Sequence, residues 1–232
     1  MTAPVERALA IETATAATAA ALRVGDDVTE AVLDDARRHT EALALGVAAL
    51  LAAAGTAAGD LQLVAVDVGP GLFTGLRVGI AFAKAVCLAT GAALVGVRST
   101  DVLGLEALEA GAEAPWAVVD ARRGEVFAAR YGAGPLGPVA LEGPLVWAPG
   151  DLAARCGPGA VAVGDGALRH RATLEAAGVV VRDGTSLPRP ALALRLAEAA
   201  LAAGGPPDPA AVRPLYLREA DATANFTVRG AR

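Results

Sequence analysis

The stretch Gly69–Ile80, which reads GPGLFTGLRVGI, decides the fold. It follows a continuous apolar run, Leu61–Val68, of the kind that forms a strand buried on both faces. It opens a long apolar segment that is predicted to be helical from about Thr74 to Thr90. A strand, a glycine-rich turn and a helix in this order indicate an α/β protein.

Two interpretations of the glycine-rich turn remain open. Such a turn can bind phosphate, because unpaired backbone N–H groups and the positive end of the helix dipole meet there. The segment lacks the Lys-Ser/Thr pair of a P-loop and does not match G-x-G-x-x-G. We therefore favour a tight turn in which Thr74 is the N-cap of the helix.

The helix after this turn carries a stripe of small residues. Four of them recur at every fourth position: Gly75, Gly79, Ala83 and Cys87. Only Arg77 and Lys84 are charged, and a helix that is apolar almost all round is typically buried. A small-residue stripe lets a second backbone approach closely. That backbone belongs either to a helix outside this domain or to a second lobe of the same chain.

Strand and helix patterns continue on both sides of this stretch. Towards the N-terminus and just after the helix, strands are predicted at Arg7–Ile11, Ala17–Val24, Val28–Leu33 and Ala93–Val97, and a helix at Leu43–Ala54. Further along, strands are predicted at Trp116–Asp120, Glu125–Tyr131 and Val161–Val163, and helices at Leu168–Ala177 and Leu192–Ala203. We divide the chain into a first lobe (1–108), a smaller α/β lobe (109–205), and a linker and tail (206–232).

Composition excludes several classes of protein. With 54% hydrophobic residues in 232, the chain is not disordered. A net charge of −5 without a basic run argues against a chain that itself forms the main nucleic-acid-binding surface. The uncharged run Ala42–Gly59 is interrupted by glycines and is too short as a helix to cross a bilayer, so we interpret it as a core helix. Glu6 and Arg7 interrupt any secretory signal, and we expect a cytoplasmic protein without a membrane segment.

Familiar catalytic constellations are weak or missing. The only serines, Ser99 and Ser186, do not lie in G-x-S-x-G, and His39 and His170 have no second ligand at helical spacing. A Ser-His hydrolase and a histidine-based zinc site are therefore not expected. Asp120 and Glu125 flank a short turn and are more simply the ends of a hairpin than a catalytic carboxylate pair.

Seven segments together resemble the bacterial TsaB family, the accessory subunits of tRNA threonylcarbamoyladenosine synthesis. They are Ala8–Thr15, Arg38–Glu41, Gly69–Ile80, Gly96–Thr100, Asp120–Phe127, Val163–Gly166 and Pro214–Arg218. The resemblance implies a two-lobed, actin-like (ASKHA, RNase H-like) fold with mixed sheets flanked by helices. The catalytic subunit TsaD shares that fold.

The resemblance to TsaD also shows what this chain lacks. TsaD-like sequences carry an H-x-x-x-H metal motif two residues after a Gly-Val pair. Here Gly96-Val97-Arg98 is followed by Ser99 and, four residues on, by Leu103. Leucine has no lone pair to donate and a single serine hydroxyl is a poor transition-metal ligand, so the metal site is not built. The resemblance therefore implies a noncatalytic subunit and excludes a metallopeptidase.

Partners follow from the same resemblance. We expect a scaffold that binds TsaD, with TsaE as a further partner, during threonylcarbamoyl transfer to N6 of adenosine 37 in tRNAs that read ANN codons. We expect a homodimer when the chain is alone, tRNA contact only through the complex, no cofactor in this chain, and ATP and metal in the partner subunits. The expected interface residues are Gly75, Leu76, Gly79, Phe82, Ala83 and Val86. On this hypothesis Gly79→Leu adds helix propensity yet abolishes association.

Two rival functions stay open. One is a free-standing ASKHA-type ATPase or small-molecule kinase that uses Glu12 and the turn Gly164-Asp165-Gly166 on nucleotide. Glu12 begins a turn that resembles the acidic turn of actin-like kinases, although Ala14 stands where a glycine usually admits phosphate. The other is a simple homodimeric binding protein with no effect on tRNA modification.

Overall fold

Two five-stranded mixed sheets, each flanked by helices, organise the chain. The computed structural model describes residues 5–34, 39–204 and 208–218. The first lobe is built on a sheet of β1 (Arg7–Glu12), β2 (Thr18–Val24), β3 (Asp27–Asp34), β4 (Leu63–Gly69) and β5 (Ala93–Arg98). Its strand order is β3-β2-β1-β4-β5, in which β3, β2 and β1 are antiparallel and β1, β4 and β5 are parallel. The central strands β1 and β4 are continuous apolar runs because both of their faces are covered.

Helices cover both faces of the first sheet. On one face, α1 (His39–Ala53) and α2 (Phe73–Thr90) lie side by side and share one apolar core with the sheet. On the other face lie α3 (Ser99–Glu109) and α7 (Pro190–Gly204). Within the described residues only α2 is long and apolar enough, by length and composition, to cross a membrane; 33% of it is buried inside the protein.

The second lobe repeats the strand order of the first. Its strands are β6 (Trp116–Arg122), β7 (Glu125–Gly134), β8 (Gly137–Trp147), β9 (Val161–Val163) and β10 (Val180–Val181), in the order β10-β9-β6-β7-β8. Three antiparallel strands are again followed by two parallel ones. The helices α4 (Pro149–Cys156), α5 (Asp165–Arg169) and α6 (Arg171–Ala176) cover one face. The duplicated arrangement confirms the predicted actin-like fold class.

The helix α3 joins the two lobes. Val102 and Leu105 pack into the core of the first sheet, whereas Leu103 and Ala107 pack into the core of the second. On the second-lobe side, the Tyr131 hydroxyl lies 2.9 Å from Thr100 Oγ1 and donates to Asp101 Oδ1 at 2.6 Å. The helix α3 therefore contributes side chains to the cores of both lobes.

The C-terminal part of the chain returns to the first lobe. The helix α7 lies in the range 109–205, yet it packs on β1, β2, β4 and β5. Within the tail, residues 208–218 are described and Val212 is buried in the first-lobe core, while 219–232 lie outside the described residues. The division at residue 109 stays a proposal, since α7 and the start of the segment 208–218 pack on the first lobe.

Candidate functional site

The turn between β1 and β2, residues 12–15, is held in place by its own acid. Glu12 Oε1 accepts hydrogen bonds from the backbone N–H groups of Ala14 at 2.8 Å and Thr15 at 3.1 Å. The Thr13 hydroxyl donates to the carbonyl oxygen of Gly75 at 2.8 Å, and Leu72 N–H donates to the carbonyl oxygen of Ala14 at 2.6 Å. The turn is thereby seated directly on the start of α2.

The glycines of α2 and its preceding loop make this seating possible. A Cβ atom on Gly71 would lie 2.2 Å from the Ala14 carbonyl oxygen, and one on Gly75 would lie 1.8 Å from the Thr13 carbonyl oxygen. A Cβ atom on Gly79 would lie 2.2 Å from Thr13 Oγ1. The backbone that approaches Gly71 and Gly75 is thus the chain's own turn 12–15, in the same lobe, which neither interpretation of the stripe had included.

The close contact with the turn 12–15 also argues against phosphate binding at the glycine-rich turn. The Ala14 carbonyl oxygen takes up the Leu72 N–H and lies within the space in front of Gly71. A carbonyl oxygen is the negative end of its dipole and repels a phosphate. The N-cap prediction was wrong in detail, because Leu72 is the N-cap, forms no side-chain cap bond, and Thr74 is the second residue of the helix.

Glu12 forms a buried acid pair with Asp67 at the end of β4. Both side chains are almost fully buried, and the two carboxyl groups lie close enough to perturb each other's pKa. Burial, followed by the charge of Asp67, raises the pKa of Glu12 well above its usual value; burial also raises the pKa of Asp67. Among the described residues, Asp67 Oδ2 is buried and has no hydrogen-bond partner. A proton on Glu12 would give it a donor, so the arrangement favours a neutral Glu12 beside Asp67.

Ser99 and Leu103 occupy the positions where the resemblance to TsaD places two histidines. The Ser99 hydroxyl donates to Asp67 Oδ1 at 2.7 Å and lies 3.0 Å from the carbonyl oxygen of Pro70. The Leu103 side chain is fully buried in the core of the second lobe. These residues do not fit a transition metal, because one side chain is already engaged by a carboxylate and the other carries no donor atom.

Glu12→Gln is expected to stabilise the protein increasingly as the pH rises. Because the folded state raises the pKa of Glu12, its contribution to stability is present at low pH and is lost as the pH approaches the folded pKa. The glutamine amide stays neutral and supplies Asp67 Oδ2 with a permanent N–H donor. We expect a gain of about 1 kcal/mol at about pH 9 and almost none near pH 5, from urea unfolding. Glu113→Gln, at an exposed acid, is the control; equal curves for E12Q and the parent at both pH values would show that no proton is shared.

The second lobe has an acidic turn at the equivalent place. Asp120 is buried near the end of β6 and pairs with Arg122 at 3.3 Å and Arg169 at 3.7 Å. Asp165 Oδ1 accepts the Asp120 N–H at 3.0 Å. Burial raises the pKa of Asp165. Each acid is engaged inside the lobe, and Glu125 is paired with Arg218; this agrees with the hairpin-end interpretation of Asp120 and Glu125.

The glycines of Gly164-Asp165-Gly166 have a packing role. A Cβ atom on Gly164 would lie 2.2 Å from the Val118 carbonyl oxygen, and one on Gly166 would lie 2.7 Å from the Val119 carbonyl carbon. They let α5 approach β6 closely. These close contacts with β6 are a sufficient reason for the two glycines, and they involve no nucleotide.

The exposed surface of the first lobe carries a largely uncharged two-helix face. On α1 the outward residues are Ala44, Leu45, Ala48, Ala49, Ala52 and Ala53. On α2 they are Phe73, Thr74, Arg77, Ala81, Ala85, Leu88 and Ala89. Leu45 is 74% exposed and Leu88 is 89% exposed, although leucine usually avoids such positions on a helix. We call this surface the α1/α2 face.

The expected interface residues lie mainly on the other side of α2. Four of them, Gly75, Leu76, Gly79 and Ala83, are buried within the first lobe. The remaining two, Phe82 and Val86, are half-buried against the first-lobe core. A partner that docks on α2 therefore meets its outward side and not the small-residue stripe. We interpreted the alanine-rich run in α1 as a core helix, but one side of that helix is exposed to solvent. The run of alanines was therefore the sequence signal for the α1/α2 face.

Comparison with known proteins agrees with the fold. A family model described as TsaD, tRNA N6-adenosine threonylcarbamoyltransferase, matches residues 33–136. An uncharacterized protein of Mycobacterium bovis is 39% identical over 217 residues, which cover 92% of each chain. The tRNA threonylcarbamoyladenosine biosynthesis protein TsaB of Escherichia coli is 36% identical over 126 residues, or 54% of each chain. A crystal structure from Pseudomonas aeruginosa, described as similar to peptidase YeaZ, superposes with a TM-score of 0.81 at 27% identity, covering 92% of this chain and 100% of that one.

The chain belongs to the TsaB family. The match to TsaD covers α1, α2 and the strands around them, so the part of the chain that carries the α1/α2 face is also the part that a TsaB-family protein shares with TsaD. Within the described residues no group of three His, Cys, Asp or Glu side chains is placed to hold a metal ion.

Proposed function

We propose that this chain is a noncatalytic, cytoplasmic scaffold subunit in tRNA threonylcarbamoyladenosine biosynthesis, and that it binds TsaD through the α1/α2 face. The observation that carries the proposal is the face itself, where six outward positions of α1 are all alanine or leucine. A contiguous exposed apolar patch is a mark of a docking site. The chemistry of threonylcarbamoyl transfer to adenosine 37 is then assigned to the partner.

The choice of TsaD as the occupant rests on shared ancestry. Both helices of the face lie within residues 33–136, the part that matches the TsaD model. Two proteins that present the same helix pair can pack it like against like around a two-fold axis. The same geometry permits a homodimer when the chain is alone, in which a second copy occupies the place of TsaD. A specific interface of this type buries about 1,600 Å² in total.

A noncatalytic role agrees with the interior of the first lobe. The turn 12–15 fills the space in front of the glycine-rich loop, the acid pair is buried, and Ser99 is engaged by Asp67. These contacts also disfavour the kinase alternative, because Glu12 is buried, accepts hydrogen bonds from its own turn and has a raised pKa, whereas a magnesium ligand is a charged and accessible carboxylate. We keep TsaE as a further partner, and tRNA contact through the complex, as parts of the same proposal.

Genetic depletion of this chain is expected to remove N6-threonylcarbamoyladenosine from tRNA. Mass spectrometry of tRNA nucleosides measures that loss, and the wild-type chain restores the modification. The Glu12→Gln variant is expected to restore it equally well, because a scaffold needs no ionisable group at this position. A kinase that uses Glu12 predicts failure of the Glu12→Gln rescue. A simple homodimeric binding protein predicts no loss of the nucleoside on depletion, and either result would refute the proposal.

A further inference from the structure

The segment 212–218 crosses from the first lobe to the second. At its start, Val212 is buried beside Gly96 in the first lobe. Leu215 N–H donates to the Val68 carbonyl oxygen at 2.7 Å, in the strand that leads into the glycine-rich turn. At its end, Leu217 packs against the core of the second lobe. A short stretch of irregular chain thus connects two cores.

Tyr216 ties this segment to the first turn of α2. Its ring stacks on Phe73 with 5.1 Å between centroids and 29° between planes. Arg77 Nε donates to the Tyr216 hydroxyl at 2.9 Å, and the Arg77 guanidinium lies 3.8 Å above the centre of the Phe73 ring. Phe73 and Arg77 begin the outward stripe of α2 that continues through Ala81 and Leu88. The side chain of Tyr216 is therefore continuous with the α1/α2 face.

Arg218 ties the same segment to the hairpin between β6 and β7. Its guanidinium donates to Glu125 Oε2 at 2.5 Å and to the carbonyl oxygen of Ala121 at 3.3 Å. Ala121 and Glu125 flank a tip where Arg122, Arg123 and Gly124 all have positive φ angles of 63°, 54° and 79°. The hairpin tip thus contacts Arg218, which lies two residues from Tyr216, and the Tyr216 ring packs on the first turn of α2.

We infer that residues 212–218 form a strap that adds Tyr216 to the partner surface and couples that surface to the position of the second-lobe hairpin. The inference deepens the proposed function and rests on it for the identity of the partner. Arg77 uses Nε for Tyr216, and its terminal amino groups have no hydrogen-bond partner within residues 5–34, 39–204 and 208–218. This end of the surface fits a partner helix that carries an aspartate or glutamate opposite Arg77.

The decisive variant is Arg218→Ala, because Arg218 contacts the hairpin and not the α1/α2 face. We expect its affinity for TsaD to fall about threefold to tenfold, although no residue of the face has changed. Glu125→Gln, which removes the other half of the pair, is expected to give a similar loss. Arg155→Ala is the matched control, since Arg155 forms a two-bond pair with Glu142 elsewhere on the second lobe. Unchanged affinity in both Arg218→Ala and Glu125→Gln would overturn the coupling.

Hydrogen–deuterium exchange of the isolated chain tests the strap without any partner. In Arg218→Ala we expect faster exchange both in peptides covering the hairpin tip and in peptides covering 70–80, the first turns of α2. Faster exchange at the hairpin alone, or at neither place, overturns the strap. Should the wild-type chain fail to bind TsaD, the proposed function fails, while the exchange experiment still decides whether the two lobes are coupled through this segment.

Discussion

Leu88→Glu and Leu45→Glu are each expected to abolish association with TsaD while leaving the isolated chain folded. Both side chains are exposed, at 89% and 74%, so the fold does not depend on them. In the complex each glutamate would be buried against an apolar helix without a counter-charge. A buried, unpaired charge costs about 3 kcal/mol or more, which is over a hundredfold in Kd. Co-purification and isothermal calorimetry with TsaD measure the loss, and thermal unfolding of each variant confirms the fold.

Leu141→Glu is the matched control for these two variants. Leu141 is also an exposed leucine, at 57%, but it lies on β8 of the second lobe. The control should bind TsaD as the wild type does. Normal binding by Leu45→Glu and Leu88→Glu would show that the α1/α2 face is not the interface. Equal loss in all three variants would point instead to an effect of charge alone.

The central strands of the first lobe and its helices α1 and α2 could be predicted from sequence because their signals are local. Continuous apolar runs predicted β1 and β4, and Gly91 at positive φ ends α2 where the apolar pattern stops. The orientation of α2 could not be predicted. Small residues at every fourth position indicate that a backbone approaches closely, but the pattern is the same whether that backbone is Thr13 of the same lobe or a residue of another protein.

Four elements were not predicted, namely α3, α4, β8 and β10, and for β8 and α3 the reason is physical. The strand β8 contains Pro138, Pro144 and Gly143, which usually mark turns, yet it is an edge strand where a missing N–H is tolerated. The helix α3 packs on both lobes and so shows no amphipathic pattern; Gly104 in its middle admits the Tyr131 ring. The shared strand order of the two lobes could not be predicted either, because the two sheets have the same topology but no repeated sequence period.

The acid pair and the strap illustrate contacts that depend on tertiary structure. Glu12 and Asp67 each end an apolar strand, and parallel neighbours such as β1 and β4 bring such ends together, so their proximity follows from topology. The contact of Tyr216 with Phe73 joins residues far apart in sequence and has no local signal. The sequence singled out Glu12 only as part of the rival kinase site, and its raised pKa could be inferred only once Asp67 was placed beside it.

Gly75→Ala is expected to destabilise the protein strongly, by about 3 kcal/mol or more. Its Cβ atom would lie 1.8 Å from the Thr13 carbonyl oxygen, and a backbone atom on a turn held by Glu12 cannot move aside as a flexible side chain can. Alanine normally favours a helix over glycine by up to about 1 kcal/mol, so the expected sign is opposite to that of helix propensity. Urea unfolding measures the change.

Gly150→Ala is the control that separates the effect of packing from the effect of helix propensity on the free energy of unfolding. Gly150 lies in α4, and a Cβ atom there would meet nothing within 4 Å. Gly150→Ala should therefore be neutral or slightly stabilising.

The same kind of contact changes our expectation for Gly79→Leu, whose Cβ atom would lie 2.2 Å from Thr13 Oγ1. Loss of association in Gly79→Leu would report damage to the first lobe as readily as damage to an interface, so the outward leucines are the proper test. If Gly75→Ala unfolds at the wild-type urea concentration, the turn 12–15 does not lie on α2, and the phosphate-binding interpretation of the glycine-rich loop is open again.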